Sequence, residues 1–216
     1  MSGHIAIAID GPAASGKSTL ARLLSEALGL TMVNSGEMYR AVTWKVLKSG
    51  VDPSDAEAVA KALEQMDIEC GVENRLSTIA IDGVRLGPEL RTEEVNRSVS
   101  LVSAVPEVRE KLVDLQRGFL KFTDLVMEGR DIGTVVFPDT PFKIYVDADA
   151  DVRAERRVAA GEVDAVHDRD REDSSRKTAP LKVAEGAAVL DTSKHTIESG
   201  VDAALEILSE QGLKRD

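Results

Sequence analysis

The stretch Gly11-Pro12-Ala13-Ala14-Ser15-Gly16-Lys17-Ser18 decides the fold of this chain, because it fits the phosphate-binding pattern G-x-x-x-x-G-K-[ST]. An apolar run at residues 5–9 precedes it and predicts a buried parallel strand. Residues 19–28 follow with apolar side chains at helical spacing. Strand, loop and helix in this order predict a P-loop that binds a nucleoside triphosphate. The alternative, a glycine-rich turn with an incidental lysine, fits this context less well.

The residue types of the loop explain how it would hold phosphate. Glycines allow backbone N–H groups to turn inward, and the following helix adds partial positive charge at its N-terminus. Lys17 would supply a point charge to the β- and γ-phosphates, and the Ser18 hydroxyl would ligate Mg²⁺. The residues predicted to bind the triphosphate are Gly11, Pro12, Ala13, Ala14, Ser15, Gly16, Lys17, Ser18, Thr19 and, from a later arginine-rich helix, Arg156.

Composition limits the classes of partner. The chain has 216 residues, enough for one α/β domain, and a formal net charge of −11. This charge argues against nucleic acid or an anionic membrane as the main partner. Cys70 is the single cysteine, so no intrachain disulfide is possible. We see neither a leader pattern nor a spanning segment, and no apolar stripe is left over for an interface, so we expect a cytoplasmic monomer.

Hydrophobic periodicity predicts an α/β fold. Five buried strands are predicted at residues 5–10, 31–34, 125–128, 143–146 and 188–190. Helices are predicted between and after them at residues 19–28, 38–47, 55–66, 106–122, 152–159 and 197–208, the last with Thr196 as N-cap. Residues 67–86 break this alternation and predict a small antiparallel insertion, with a tight turn at Asp82-Gly83 and an earlier one at residues 73–75.

Polar segments follow two of the predicted strands, at the sheet edge where ligands bind in open α/β folds. One segment spans residues 34–40 and includes Arg40. The other is Glu128-Gly129-Arg130-Asp131. Arg130 suits bidentate phosphate binding, and Asp131 suits a hydrogen bond or a water of the Mg²⁺ shell.

A charged run at residues 169–176 follows the fourth strand. Such a run is usually a solvated face. Its position on the P-loop edge instead favours a mobile lid that closes on triphosphate, with Arg169, Asp173 and Arg176 as functional residues. Arg171 and Glu172 are expected to be solvated. We see no His–Cys or Ser–His–Asp set, so no covalent intermediate is expected.

Four motifs together resemble the bacterial cytidylate kinase family over almost the whole chain. They are the P-loop, Asn34-Ser35-Gly36 with Tyr39-Arg40, the segment Glu128-Gly129-Arg130-Asp131-Ile132-Gly133-Thr134-Val135-Val136-Phe137-Pro138, and Arg169-Asp170-x-x-Asp173-Ser174-x-Arg176 through Ala179-Pro180-Leu181. The third motif is far more specific than the P-loop.

The resemblance implies a three-layer α/β/α P-loop fold with a five-stranded parallel sheet, a lid at about residues 153–176 and an NMP-binding insertion at about residues 67–104, all within a single domain of residues 1–216. It implies transfer of the ATP γ-phosphoryl group to CMP or dCMP, with Mg²⁺. Residues implied in the monophosphate site are Ser35, Arg40, Arg109, Arg130 and Asp131. Ser100 is implied as a cytosine contact, and Asp173 and Arg176 as the pair near the transferred phosphate and the sugar. The set with catalytic roles is Lys17, Arg130, Asp131 and Arg176, and Arg169 joins the substrate-binding set.

Two departures from the family pattern stand out. The family usually has Asp where this chain has Asn34. We expect the loss of this negative charge to alter either the coupling of the site to the metal ion or the closing motion. The segment between Arg157 and Arg169 is shorter than the helical lid that members commonly carry, which predicts a lid that closes less completely or relies more on Arg169 and Arg171. Alternative functions are another small-acceptor kinase for UMP or AMP, and a nucleotide-dependent binding protein without turnover.

Overall fold

The structure, a computed structural model, describes residues 3–159 and 181–214. The chain divides into two compact units, Met1–Val33 with Leu120–Asp216, and Asn34–Phe119. We call them the first unit and the second unit. Within the described ranges, no helix combines the length and the apolar character needed to cross a membrane.

The elements follow one another along the chain with short connections. The strands are β1 (Ala6–Asp10), β2 (Thr31–Asn34), β3 (Ile68–Glu73), β4 (Leu76–Ile81), β5 (Val84–Arg85), β6 (Leu125–Gly129), β7 (Lys143–Asp147) and β8 (Ala188–Asp191). The α-helices of the described residues are α1 (Lys17–Leu28), α2 (Ser35–Lys48), α3 (Ala56–Leu63), α4 (Glu93–Ala104), α5 (Pro106–Gly118), α6 (Ala150–Ala159) and α7 (Ile197–Glu210). A π-helical turn spans Ile132–Val136.

The first unit is built on a mostly parallel sheet with the order β2-β6-β1-β7-β8. Strand β1 pairs in parallel with β6 and with β7, and β7 pairs in parallel with β8. Asp10, the last residue of β1, lies opposite Gly129 of β6 and Tyr145 of β7. The P-loop and the segment after β6 therefore leave the sheet at adjacent points of its carboxyl edge.

The core of the first unit lies between the sheet and helices α1 and α7, which pack against each other. Its buried residues are Ile7, Ile9, Leu20, Ala21, Leu24, Met32, Val126, Phe142, Ile144, Val146, Leu190, Ala204 and Leu208. Burial of one of the larger side chains among them, a Val, Leu, Ile, Phe or Met, stabilises the fold by about 1.5–3 kcal/mol. The strands read as continuous apolar runs because both of their faces are covered.

In the second unit, α2 packs against α3, α4, α5 and β4. Strands β3, β4 and β5 form an antiparallel meander. Both connecting turns have positive φ at both central positions, 51° and 61° at Asn74 and Arg75 and 51° and 73° at Asp82 and Gly83. Two such residues are the requirement of a type I′ hairpin. The predicted turn at Asp82-Gly83 and the earlier turn are therefore confirmed.

The structure confirms the mixed α/β class, the five predicted strands of the first unit and the antiparallel strands of the second. It adds one helix that the sequence analysis did not predict, α4. Thr92 caps this helix by accepting a hydrogen bond from the amide of Val95 at 3.4 Å. Val95, Val99 and Val102 are its buried apolar positions, and the polar residues between them obscured the helical spacing.

Candidate active site

The P-loop has a backbone that requires glycine at its first position. A Cβ on Gly11 would lie 2.1 Å from the carbonyl oxygen of Val146, so no larger residue fits there. Gly16, with φ 89°, is the N-cap of α1, and Ala14 adopts a left-handed φ of 59°. The hydroxyl of Ser15 is fully buried and has no hydrogen-bond partner within residues 3–159 and 181–214. A buried polar atom of this kind suits an anion held inside the loop.

Lys17 and Ser18 stand at the start of α1. The Lys17 side chain is buried, and its Nζ donates to the carbonyl of Pro12 at 3.0 Å. The Ser18 hydroxyl donates to Oε1 of Glu128, the buried carboxylate near the end of β6, at 2.9 Å. The structure thus places two hard oxygen ligands side by side.

These two oxygens fit Mg²⁺. The ion is commonly bound by one or two protein groups together with substrate phosphates and water. No group of three or more His, Cys, Asp or Glu side chains in the described parts of the chain is arranged to hold a metal ion by itself.

A cavity of about 420 Å³ opens beside the P-loop in the first unit. Its lining residues are Ala14, Gly16, Lys17, Ser18, Thr19, Leu20, Leu23, Arg156, Arg157, Thr192, His195, Thr196, Ile197 and Gly200. Lysine and arginine lie at the P-loop end, and the described lining contains no carboxylate. Leu20, Leu23 and Ile197 supply an apolar wall. The cavity therefore joins a cationic phosphate-binding part to a wall that suits an aromatic base.

The segment after β6 is anchored by Asp10. Its carboxylate accepts hydrogen bonds from the amides of Ile132 at 2.7 Å and Gly133 at 2.8 Å. Burial raises the pKa of the Asp10 carboxyl to about 6, although these two backbone bonds oppose that shift. Arg130 and Asp131 lie directly before the anchored amides, and Asp131 is buried. Asp10 thus joins the end of the P-loop strand to the turn that presents Arg130 and Asp131.

Four predicted acceptor residues lie in the second unit. Arg40 of α2 donates through one guanidinium nitrogen to the carbonyl of Leu90 at 3.1 Å and to Oδ1 of Asn96 at 2.5 Å. Ser35 begins the same helix and is buried, and Ser100 lies on α4 with partial exposure.

Arg109 of α5 completes this group. It is 4% exposed, donates to the carbonyl of Ser103 at 3.3 Å, and stands over the Tyr39 ring at 5.6 Å from its centroid. The structure therefore draws α2, α4 and α5 together around two arginines. A buried guanidinium held by a carbonyl and an aromatic face is positioned rigidly.

The remaining predicted residues belong to the predicted lid. Arg156 of α6 donates to the carbonyl of Ala14 at 3.4 Å and twice to Thr192, at 3.0 and 3.1 Å. Arg169, Asp173 and Arg176 lie outside the described residues, as does the predicted lid beyond residue 159.

Three contacts were not found by sequence reasoning. Asp10 had one signal, a carboxylate at the end of an otherwise apolar strand. Glu128 was quoted as part of a motif without a role, and its bond to Ser18 joins residues 110 positions apart. The contact of Thr192 with the P-loop joins residues 177 positions apart, which no local pattern reveals.

Comparison with protein families and with known proteins agrees with this geometry. The family model for cytidylate kinase matches residues 7–210. The cytidylate kinase of Clostridium botulinum (strain Langeland) is 40% identical, with 95% of this chain and 98% of that protein covered. Those of Streptomyces avermitilis and Mycolicibacterium paratuberculosis are 38% and 41% identical, with 96% and 98% of this chain and 94% and 98% of those proteins covered.

Solved structures show the fold at low sequence identity. A gluconokinase from Sinorhizobium meliloti 1021 has a TM-score of 0.51 at 12% identity, with 95% of this chain and 92% of that chain covered. The protein TT1252 from Thermus thermophilus has a TM-score of 0.50 at 18% identity, with 98% and 99% covered. The match of the family model over most of the chain, and relatives about two-fifths identical from end to end, show that this chain belongs to the cytidylate kinase family.

Proposed function

We propose that this chain transfers the γ-phosphoryl group of ATP to CMP or dCMP, giving ADP and CDP or dCDP. One observation carries the proposal: a P-loop with Lys17 and a Ser18–Glu128 pair opens into a cavity of about 420 Å³, in a member of the cytidylate kinase family. Membership of the family supports CMP or dCMP as the acceptor, and the geometry of the P-loop and the cavity supports binding of a triphosphate.

The donor half of the site lies in the first unit. The amides of the P-loop and Lys17 would bind the β- and γ-phosphates of ATP. The adenosine would occupy the cavity against Leu23 and Ile197. Ile197 is 61% exposed although it is apolar. An exposed apolar residue in a cavity wall is available to pack on a base. Arg156 lines the same cavity, contacts the carbonyl of Ala14 in the P-loop, and would face the phosphates.

Ser18 and Glu128 would hold Mg²⁺. The bound ion would neutralise charge on the phosphates of ATP. Independently of the ion, the Ser18 hydroxyl donates to Glu128 and so orients a carboxylate at the carboxyl edge of the sheet.

The acceptor residues are those that the resemblance to the family implies. Ser35, Arg40, Arg109, Arg130 and Asp131 would bind the monophosphate, and Ser100 would contact the cytosine. Cytosine donates through its exocyclic amine where uracil accepts through O4, so a site matched to one base leaves buried groups unpaired with the other.

The chemistry is a direct displacement. An oxygen of the CMP phosphate forms a bond to the γ-phosphorus, the bond from that phosphorus to the bridging oxygen breaks, and ADP leaves with the electron pair. Lys17 and Arg130 would meet the negative charge on the transferred group, together with Arg169 and Arg176 of the proposed lid. Asp173 would lie with Arg176 near the transferred phosphate and the sugar. Positioning and electrostatics account for catalysis in such reactions.

The same proposal extends to the organisation of the chain. Residues 1–216 would act as a single kinase domain, with the NMP-binding insertion at about residues 67–104 and the lid at about residues 153–176. The antiparallel strands β3 to β5 and helix α4 fall within the proposed insertion. We propose that the protein acts as a monomer in the cytoplasm. Sedimentation velocity would test the oligomeric state.

Product identification tests the reaction. The protein is incubated with ATP, CMP and MgCl₂, and nucleotides are separated by anion-exchange chromatography. We expect CDP and ADP to appear in equal amounts. ADP without CDP would indicate hydrolysis alone, and no turnover with CMP would favour a kinase for UMP or AMP or a nucleotide-binding protein. Either result would refute the proposed activity.

A further inference from the structure

Four consecutive backbone carbonyls of the P-loop each accept a side-chain hydrogen bond. The pairs are Pro12 O with Lys17 Nζ at 3.0 Å, Ala13 O with Arg153 at 3.4 Å, Ala14 O with Arg156 at 3.4 Å, and Ser15 O with the Thr192 hydroxyl at 2.8 Å. The last three donors lie 140 to 177 residues further along the chain than their acceptors. The loop is therefore held by distant elements of its own unit as well as by its own sequence.

Thr192 is the centre of this arrangement. It begins a 3₁₀ turn directly after β8. Its hydroxyl and its carbonyl accept from the two terminal nitrogens of Arg156, at 3.0 and 3.1 Å. The hydroxyl proton has the carbonyls of Ser15 at 2.8 Å and Asp147 at 3.2 Å within reach, and the Ser15 contact is the shorter. One residue thus fixes both the donor to Ser15 and the arginine that reaches Ala14.

The consequence for phosphate follows from the planar peptide. In a trans peptide, the carbonyl of one residue and the N–H of the next point in opposite directions. Fixing the carbonyl of Ser15 fixes the direction of the Gly16 amide, and fixing that of Ala14 fixes the Ser15 amide. These amides are the groups that a P-loop offers to phosphate oxygens. A hydrogen bond to a P-loop carbonyl therefore sets the direction of the next residue's N–H, which faces the phosphate.

The backbone of the loop needs such support. Ala14 has a φ of 59°, in the left-handed region that residues with a Cβ rarely adopt. A conformation of this kind persists when its surroundings hold it in place. Arg156 contacts the carbonyl of this same residue and is itself held by Thr192.

We propose that Thr192 is a positioning residue of the donor site, which aligns the P-loop amides for phosphate by holding the carbonyl of Ser15 and the guanidinium of Arg156. The inference rests on the proposed function for the identity of the nucleotide, and it concerns the same site. Thr192 acts through the loop and does not itself bind the donor base.

Three variants isolate the hydroxyl. Thr192→Val keeps the shape of the side chain and removes the hydrogen bonds, and Thr192→Ser keeps the hydroxyl. Thr123→Val is the matched control, because the Thr123 hydroxyl also makes two contacts, with Thr31 at 2.9 Å and the carbonyl of Asp124 at 3.1 Å. These lie where β2 and β6 begin, at the opposite edge of the sheet from the P-loop.

The decisive measurement is calorimetric titration with two probes, ADP and inorganic tripolyphosphate, in the absence of an acceptor. We expect Thr192→Val to weaken both probes by about tenfold, the effect of losing roughly one well-placed hydrogen bond. Thr192→Ser and Thr123→Val should bind both probes as the unaltered protein does. Should Thr192→Val fail to fold, Thr192→Ala is titrated in its place with the same expectation.

Two results would overturn the proposal. Weaker binding of ADP with unchanged tripolyphosphate would place the action of Thr192 on the nucleoside, since this residue also lines the cavity. A lower midpoint of thermal unfolding with both affinities unchanged would make it a structural residue only. Neither probe requires turnover, so the result stands apart from the proposed activity: an unaltered protein that binds both probes and fails to phosphorylate CMP refutes the activity alone.

Discussion

At the residue scale, two lysines of the first unit are equally buried and have different partners. Lys17 and Lys143 are each 6% exposed. Lys143 donates to the carbonyls of Pro138 at 2.6 Å and Glu185 at 3.2 Å, and neither of these residues lines the cavity. Lys17 donates to Pro12 of its own loop and borders the cavity. Lys143 therefore satisfies carbonyls of the fold, whereas the equally buried Lys17 borders the cavity that we propose binds ATP.

The first prediction separates these two lysines. Lys17→Ala should reduce kcat by about 100- to 1,000-fold or more, because it removes a charge directed at the transferred phosphate, and the fold should survive. Lys143→Ala should lower the free energy of unfolding by about 1–3 kcal/mol, since two buried carbonyls lose their donor, with kcat per folded molecule unchanged. Steady-state kinetics and thermal unfolding of both variants check this. An active Lys17→Ala protein, or an unfolded one, would contradict the role given to Lys17.

Asp10 gives the second prediction. Burial raises the pKa of its carboxyl in the folded chain to about 6 from an ordinary 3.8, so the folded state binds this proton more tightly than the unfolded state. Tighter proton binding stabilises the folded state. This contribution to the free energy of unfolding is fully present below the ordinary pKa of 3.8 and is lost as pH rises through about 6. The shift corresponds to about 3 kcal/mol.

The test compares the unaltered protein with Asp10→Asn by urea unfolding between pH 4 and pH 7.5. Other titrating groups cancel in the difference between the two proteins, apart from Asp131 and Arg130, whose charges act on Asp10. The stability advantage of the unaltered protein should shrink by about 2.4 kcal/mol as pH rises across this range, because the unfolded carboxyl is already partly ionised at pH 4. An advantage that stays constant or grows with pH would rule out a raised pKa.

At the scale of elements, patterns within one segment were predictable and contacts between distant segments were not. The ends of β1, β2, β6, β7 and β8 fell within one residue of prediction, because continuous apolar runs end where the chain leaves the sheet. The P-loop followed from four spaced residues. Helix α4 was missed because only three valines mark its buried face among polar residues.

The site shows the same division. The types and order of Lys17, Ser18, Arg130 and Asp131 were readable from the motifs. The residues that hold these segments in place could not be predicted. Asp10 accepts from the amides of Ile132 and Gly133, which are 122 and 123 positions away, and Thr192 donates to Ser15, which is 177 positions away. Such contacts depend on the order of strands in the sheet, which local periodicity does not determine.

The third prediction concerns the start of α2. Asn34 caps this helix by accepting a hydrogen bond from the amide of Glu37 at 3.2 Å. Asn34→Ala should lower the free energy of unfolding by about 1 kcal/mol, and Asn34→Asp should retain the cap because a carboxylate accepts the same bond. Thr92→Ala, at the cap of α4, is the matched variant with a similar expected loss. Denaturant unfolding measures all three, and an Asn34→Ala protein as stable as the unaltered one would show that the cap is not needed.

At the scale of the whole molecule, the overall charge and the charge at the site have opposite signs. The chain carries a formal net charge of −11, yet the described lining of the cavity holds Lys17, Arg156 and Arg157 and no carboxylate. An acidic surface disfavours polyanionic macromolecules, and a cationic cavity favours a small, highly charged ligand. A nucleoside triphosphate fits this combination.

The fourth prediction is a requirement for a divalent cation. Lys17, Arg156 and Arg157 leave part of the charge of ATP unbalanced, and Ser18 with Glu128 offers two oxygens to a hard ion. Activity should disappear in excess EDTA and return on addition of MgCl₂, while Ser18→Ala should require more MgCl₂ for half-maximal activity. A protein with full activity in EDTA would exclude a metal from the reaction.

The central claim is that the acceptor is a cytosine monophosphate. The most direct measurement is the kcat/KM of the unaltered protein for CMP, dCMP, UMP and AMP, at saturating ATP and MgCl₂, with ADP release coupled to NADH oxidation. Because a base that lacks the matching hydrogen-bonding groups leaves buried polar atoms unpaired, CMP or dCMP should exceed both UMP and AMP by about tenfold or more. If the kcat/KM for UMP or AMP exceeded those for both CMP and dCMP, the acceptor would not be a cytosine monophosphate.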